Sequence, residues 1–533
     1  MALSVGWHAR LFTFVRFADG RALQKKGLFS FSAFQLFSVF RQLLAFAIDL
    51  RPSSILFESM KLLATTCGKR KAGSGKRGAQ SARSKAPCFG RLPLSALRLA
   101  RTITRRRFLH QTAGALGAAL TAPAIVPASA LGRNGTLSPS ERITMGFIGV
   151  GTQGGGHLLG GAWTYVAGGY AGRKDVQVLA VCDVWRERRE RACQRVNDHY
   201  ADTYDKGSYK SCEAYTDFRD VLARDDIDAV LIATPAHWHA TMAAMAVAAG
   251  KDVYCEKPTA VTIRESQAML AAVRRYGRVY QAGTQQRSEY GGKFRLACEL
   301  VRSGRIGKLQ SIYAYRDGGA VFWPGRFGPG RPVPEGLDWD LYLGPAPWIP
   351  YDGNTGPHRF DIGELNWGQH HYDIVQWAAG ADDTGPVEIF VEEGRSGYKY
   401  ANGVVVYGKP FPGEPVGGEG GACFVGTGGR IAVDRGALVS DPPDIVREPL
   451  RPGEVHLYRS QSHSGNFLQC VRTRQRTICD ADVAQRAASA LLLGGVAKQL
   501  DRTLKWDPKA EVFLHDDEAN RLLSIAKRPP WRL

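Results

Sequence analysis

Three short stretches of this 533-residue sequence bring together residue types that could do chemistry. Gly149-Val150-Gly151-Thr152-Gln153-Gly154 follows the apolar run Ile143–Val150 and precedes His157-Leu158-Leu159. Glycines at that spacing between a strand and a helix allow a tight turn. They also let backbone N–H groups, including those of Thr152 and Gln153, approach a pyrophosphate at a helix N-terminus. Asp183 ends a second apolar run, Val176–Val181, where a carboxylate can accept hydrogen bonds from an adenosine ribose. That acid favours NAD over NADP, although Arg186 and Arg188 follow closely enough to meet a 2′-phosphate. Glu256-Lys257-Pro258 lies just past Val253–Cys255, a third strand-like run. A lysine at a strand's carboxyl end can orient a hydroxyl or carbonyl beside a nicotinamide and stabilise developing alkoxide charge.

These residues need strands that end on one edge of a sheet. The spacing predicts them. Strand-like runs at Ala229–Ala233, Val253–Cys255 and Val279–Ala282 alternate with helical patterns at Phe218–Ala223, Thr241–Ala249 and Arg264–Tyr276. That rhythm predicts a doubly wound parallel sheet over residues 141–287. Gly160–Gly172 reads as an insertion that lengthens the distance from the glycine loop to Asp183. Thr234, Pro235, His237 and His239 follow a strand end and are candidate cofactor contacts, as is Glu256. Gln285, Gln286 and Arg287 follow the last strand and are candidate substrate contacts. The Pro-, Gly- and aromatic-rich stretch Phe322–Phe360 reads as a long ordered loop, expected to shape the substrate pocket. Trp238, Trp323, Trp339 and Trp367 are candidate flat faces for a ligand.

The net charge of +20 would suggest a nucleic acid or membrane partner. Its distribution removes that reading. Residues 1–130 carry 21 Lys and Arg against Asp19, Asp49 and Glu58, a charge of +18, and the remainder is +2. No nucleic-acid partner is expected. Residues 104–130 run from Arg105-Arg106-Arg107-Phe108-Leu109 through an acid-free, Ala-rich stretch to Ala128-Ser129-Ala130. This resembles a twin-arginine (Tat) export signal, too weakly apolar for a stable membrane span. Residues 101–140 are therefore read as signal and linker, and the mature chain as extracytoplasmic. Residues 1–100 form a basic extension, expected to be disordered or a mis-assigned start, with translation beginning shortly before Thr104. The ten cysteines follow no zinc or disulfide pattern. His237, His239, His370 and His371 lack accompanying ligands at zinc-site spacing, so no metal is expected.

The motifs together resemble the glucose–fructose oxidoreductase / inositol dehydrogenase (Gfo/Idh/MocA) family. The residues that carry the resemblance are the glycine loop, Asp183, Ala233-Thr234-Pro235, Glu256-Lys257-Pro258 and Asn366-Trp367-Gly368-Gln369-His370-His371-Tyr372-Asp373. Gly426-Thr427-x-Gly429, His463–Gln469 and the C-terminal Leu504–Asp507 and Pro530-Trp531 add to it. The resemblance implies a Rossmann-type domain followed, over 288–533, by an α+β domain with a large open, mostly antiparallel sheet. The open face of such a sheet would mediate a homo-oligomer. It further implies an NAD or NADP cofactor and a sugar, polyol or glycoside substrate; an exported chain would need to hold that cofactor tightly, because free NAD is scarce outside the cytoplasm. Lys257 would position the reacting hydroxyl, His370 would act as its general base, and His371 and Asp373 would lie close to substrate. Where the family commonly has Asp, this chain has Asn366, one helical turn before His370. Asn can hydrogen-bond but carries no charge, which points to an orienting role.

Three functions fit these expectations. The first is an exported oxidoreductase that moves hydride between the nicotinamide and a secondary alcohol. The second is an NAD-dependent glycosidase, in which transient oxidation acidifies a neighbouring C–H and lets the aglycone be eliminated. The third is a sugar-binding protein that keeps the fold without turnover.

Overall fold

The structure is a computed structural model that describes residues 141–161, 164–203, 211–319, 328–355 and 365–533. The export signal, the basic extension and Trp323 lie outside the described residues. The first sheet is built from β1 (Ile143–Ile148), β2 (Val176–Cys182), β3 (Glu213–Tyr215), β4 (Ala229–Ile232), β5 (Asp252–Cys255) and β6 (Tyr280–Ala282). All six strands run parallel in the order β3-β2-β1-β4-β5-β6. Strands β4, β5 and β6 are buried at every residue, which is why they read as unbroken apolar runs rather than alternating ones. Helices α1 (Thr152–Leu159), α2 (Arg186–Thr203), α3 (Phe218–Leu222), α4 (His239–Ala248) and α5 (Ile263–Tyr276) wind around this sheet. Helix α5 starts in a full capping box, Thr262 with Glu265, and ends at Gly277 in the left-handed region.

The second sheet has nine strands. They are β7 (Leu309–Tyr313), β8 (Glu388–Glu392), β9 (Arg395–Lys399), β10 (Val405–Tyr407), β11 (Ala422–Gly426), β12 (Gly429–Val433), β13 (Leu438–Asp441), β14 (Leu504–Asp507) and β15 (Val512–Phe513). The order is β13-β12-β11-β7-β10-β9-β8-β14-β15, and only the β7–β10 pair is parallel. Helices α6 (Lys293–Arg302), α7 (Trp339–Leu343), α8 (Leu365–Ala379), α9 (Asp444–Arg447), α10 (His463–Thr473), α11 (Ala481–Leu500) and α12 (Asp517–Arg521) belong to this half of the chain. Helices α6, α8 and α11 share one core with Ile312, Ile389, Val406, Phe424 and Ile431 of the sheet. Because strand residues alternate faces, Tyr313 and Tyr407 point away from that core and stack at 5.1 Å on the opposite face. The fold is thus α/β: a parallel Rossmann-type sheet followed by a mixed, mostly antiparallel one.

The chain then returns to the first sheet. Phe467, Leu468 and Cys470 of α10 pack with Phe147, Val178 and Tyr254, and Ile478, Cys479 and Trp531 join the core on the other side. All eight cysteines in the described residues are free thiols. No helix among the described residues is long and apolar enough to cross a membrane.

Candidate active site

The glycine loop is held open for a ligand by close backbone packing. Gly149 has φ +84°, and a Cβ there would lie 2.7 Å from the carbonyl oxygen of Ala233. A Cβ on Gly154 would lie 1.8 Å from the carbonyl oxygen of Gly149, so α1 approaches β1 too closely for any side chain. Gly151 differs: a Cβ there meets only the Arg188 guanidinium, at 3.5 Å. The space in front of Gly151 is the cradle that a pyrophosphate needs at the start of α1, beside exposed Thr152. At the end of β2, buried Asp183 accepts hydrogen bonds from Val150 N–H and Trp185 N–H, both at 3.0 Å. It is therefore fixed against the same loop. Burial pushes its carboxyl up, against the pull of those two N–H groups. The residues present fit a dinucleotide.

Glu256 sits at the end of β5, buried beneath the loop. It accepts from Gln285 at 3.1 Å and pairs with His157 of α1 at 2.8 Å, while the Gln153 amide reaches it at 3.5 Å. Burial alone would raise its pKa. The bond and charge of His157, with Lys257 and His239 behind, overcome this and hold the carboxyl at about 2. Glu256 therefore stays ionised, and it ties the glycine loop to the loop after β5.

Lys257 crosses to the second half of the chain. Its ammonium donates to the Asn366 side-chain oxygen at 2.5 Å and to the Asn366 carbonyl at 3.0 Å, at the start of α8. Two residues on, Thr259 N–H donates to Gln369 Oε1 at 2.8 Å and Gln369 returns a bond to Thr259 Oγ1 at 3.1 Å. This reciprocal pair fastens the lysine loop to α8. His370, one turn after Asn366, is 3% exposed, and its Nδ1 makes no hydrogen bond among the described residues. Burial, then the charges of Lys257 and Arg435, hold its pKa well below the ordinary value, so the ring is neutral and can accept a proton. Arg435 is sandwiched between Trp367 and Tyr290, 4.7 and 5.1 Å from their ring centres. Trp367, the partly exposed neighbour of His370, remains a candidate ligand face.

Comparison with known proteins decides the family. Residues 143–284 match the "Oxidoreductase family, NAD-binding Rossmann fold" of the Gfo/Idh/MocA group, and 318–533 match its "Oxidoreductase family, C-terminal alpha/beta domain". The chain carries both domains of the Gfo/Idh/MocA family. Proteins of Shewanella baltica OS155 and Shewanella sp. W3-18-1, each named glycosyl hydrolase family 109 protein, are 30% and 29% identical to it over 222 residues. That is 39% of this chain and 44% of theirs, so the chain spans less than half the length of the curated relatives it matches. Among solved structures, an aldose–aldose oxidoreductase from Caulobacter crescentus complexed with glycerol is 17% identical, with TM-score 0.45 over 68% of this chain and 99% of that one. The WlbA dehydrogenase from Bordetella pertussis, complexed with NADH and UDP-GlcNAcA, is 16% identical, with TM-score 0.45 over 69% and 99%.

Several expected Gfo/Idh/MocA site residues are placed elsewhere by the structure. Arg287 and Asp373, read as substrate contacts, form a buried ion pair: Arg287 Nε donates to both Asp373 oxygens at 3.0 Å, and its other nitrogens reach Asp382 at 2.7 and 2.8 Å. A guanidinium 2% exposed must have such partners, so neither side chain is left for a substrate. His371 is also occupied. Its Nε2 accepts from Gly420 N–H at 3.2 Å, so Nδ1 carries the proton and donates to Gly421 O at 2.6 Å. The Gln285 amide is turned onto Glu256 and Tyr254. His237 and His239, expected at the cofactor, face backbone instead: His237 the Tyr342 carbonyl at 3.0 Å, His239 the carbonyls of Thr234 and Pro258 at 2.7 Å each. Residues 328–355 of the long loop pack against the segments after β2 and β4, and the rest of Phe322–Phe360 lies outside the described residues. Trp238 and Trp339 are buried in that packing. Among the described residues no three His, Cys, Asp or Glu side chains converge as a metal site.

Sequence reasoning assigned no role to His157, Thr259, Gln369, Arg435 or His463. Gln369 offered one usable signal: it lies one residue before His370, on a helix that must reach the lysine loop.

Proposed function

We propose that this chain is an exported, nicotinamide-dependent oxidoreductase acting on a secondary alcohol of a sugar or polyol. The observation that carries the reading is the junction of Lys257, Asn366 and His370 beside the glycine cradle. Gly149, Gly151, Gly154 and Asp183 would hold the dinucleotide, and a bound nicotinamide supplies the hydride acceptor. His370, neutral and with a free ring nitrogen, takes the hydroxyl proton as the C–H bond breaks. Lys257 stabilises the alkoxide as charge develops, and Asn366 fixes where its ammonium stands. Asp183, locked against the loop, supports NAD over NADP, since a 2′-phosphate would meet its carboxylate.

The test is to mix purified protein with free sugars and polyols and follow reduced nicotinamide by absorbance. Mass spectrometry of small molecules released on denaturation identifies the dinucleotide. Reduction stoichiometric with one substrate class is the expected result; a protein that releases no dinucleotide and reduces none is not this enzyme. The name of the Shewanella relatives favours a second reading, redox-neutral cleavage of a glycoside by the same residues. Release of an aryl aglycone without net reduction would select it.

Export and assembly complete the proposal. Replacing Arg105-Arg106 with Lys-Lys should retain the precursor in the cytoplasm, as read by fractionation. The aromatic face of the second sheet, opposite its helices α6, α8 and α11, is the surface proposed for a homo-oligomer.

A further inference from the structure

Residues 328–355 do something that the glycine loop, Lys257 and His370 do not account for. Leu337 pairs with Trp185 as an antiparallel bridge, flanked by Arg186 N–H to Gly336 O at 2.8 Å and Asp338 N–H to Val184 O at 3.0 Å. Glu335 adds an ion pair to Arg186. Leu337, Trp339, Tyr342, Leu343, Ala346 and Ile349 form their own core with Val184 and Trp185. Val184–Arg186 is the segment directly after Asp183.

The same chain segment grips the loop after β4. The Trp238 indole donates to Leu341 O at 3.0 Å, and His237 meets Tyr342 O. Gly344 presses flat on the Trp238 ring, where a Cβ would lie 1.9 Å from it. From outside, Arg528 donates to Gly344 O at 2.9 Å and Asp340 O at 2.7 Å, and Trp531 packs edge-on against Trp238 at 4.7 Å. One strap therefore binds the two loops at the carboxyl ends of β2 and β4. In a parallel sheet of this kind the loop after β2 borders the adenosine ribose, and the loop after β4 flanks the same crevice where the strand order reverses.

We propose that residues 335–344 are a clasp for the adenosine half of the dinucleotide, and that release requires Glu335–Asp338 to detach from Val184–Arg186. This rests on the reading of the crevice as a dinucleotide site. The clasp acts on dissociation rather than on chemistry. His237 and Trp238 donate to carbonyls of the strap, and its backbone pairs with Val184–Arg186, so it grips the loops instead of the ligand. An antiparallel pair without its own hydrogen bonds, such as Trp185 and Leu337, has close side chains and suits a cross-link.

The experiment uses the full chain with Trp185→Cys and Leu337→Cys, loaded with NADH and then oxidised. NADH release into excess NAD is followed by fluorescence. The oxidised pair should release NADH at least about tenfold more slowly than the same protein after reduction. Leu337→Ser should release it faster than wild type, with the affinity for nicotinamide mononucleotide, which has no adenosine, unchanged. Equal release rates in the oxidised and reduced pair overturn the clasp, as does failure of the two cysteines to cross-link. Equal loss of dinucleotide and mononucleotide binding in Leu337→Ser also overturns it. A wild-type protein that binds no dinucleotide overturns the cofactor reading itself, a separate result.

Discussion

Helix α8 carries two polar centres three residues apart, and they are built in opposite ways. Around Asp373 every charge is answered: Arg287 holds it at two points, Asp382 takes the rest of the guanidinium, and the Arg287 carbon lies 4.7 Å from the Trp377 ring centre. Around His370 the ring nitrogen Nδ1 is buried and unanswered, and the neighbouring charges on Lys257 and Arg435 oppose its protonation. A buried polar group left without a partner weakens a fold, so each one calls for an explanation, and a catalytic role is one. The Asp373 centre holds the helix in place. The His370 centre is the one that the proposed chemistry uses.

Substitutions can break this contrast at either end. The largest effect is expected at His370: His370→Gln should lower turnover by about 10²–10⁴-fold, with an unfolding midpoint close to wild type. At the other centre, Arg287→Met should destabilise by about 3–5 kcal/mol in denaturant titration, because it strands a buried carboxylate. Its activity per folded molecule should stay near wild type. Exchanging Arg287 and Asp373 together for Met and Leu should be milder than Arg287→Met alone. Lys257→Ala should reduce turnover by about 10²–10³-fold. If instead Lys257→Ala unfolds the protein and Arg287→Met only slows turnover, the contrast is reversed.

The pH dependence sharpens the comparison on a smaller scale. Burial holds His371 and His237 at about 3 and His463 at about 4, below their ordinary 6.5. In the unfolded chain these rings bind protons first, so the stability they confer is present above pH 6.5 and is lost as pH falls toward 3. Each contributes at most about 1.4 kcal/mol per pH unit, so acid titration of His463→Asn should give a shallower slope than wild type. The smallest effect belongs to Asn366→Ala. It removes one hydrogen bond to the Lys257 ammonium, a kind worth about 1.5–3 kcal/mol, but leaves the bond to the Asn366 carbonyl, and should slow turnover severalfold without changing the pH optimum.

The first sheet was legible in the sequence because its strands are buried on both faces and end in glycine, threonine–proline or glutamate–lysine–proline. Helix α2 was not. Its buried stripe is only Ala192, Val196, Asn197 and Tyr200 within Arg- and Glu-rich residues, so charge density hid the period. Edge strand β3 has three residues, too few to show alternation. Within the site, Lys257 and the glycines could be read because their roles depend on local spacing. His371, Asp373 and Arg287 could not be separated from His370 by spacing. What distinguishes them is the partner each meets far along the chain, Gly420–Gly421 for one and each other for the remaining two. The long loop's destination was hidden for the same reason: nothing in its composition says that Leu337 pairs with Trp185.

The contact at Gly154 has a consequence for relatives of this chain. With 1.8 Å between a would-be Cβ and the Gly149 carbonyl oxygen, no side chain fits by small adjustment. Tolerance there is all or none. A homologous chain with even alanine at this position must have moved its first helix away from its first strand. That single letter therefore sorts chains that keep this loop geometry from chains that have rebuilt it.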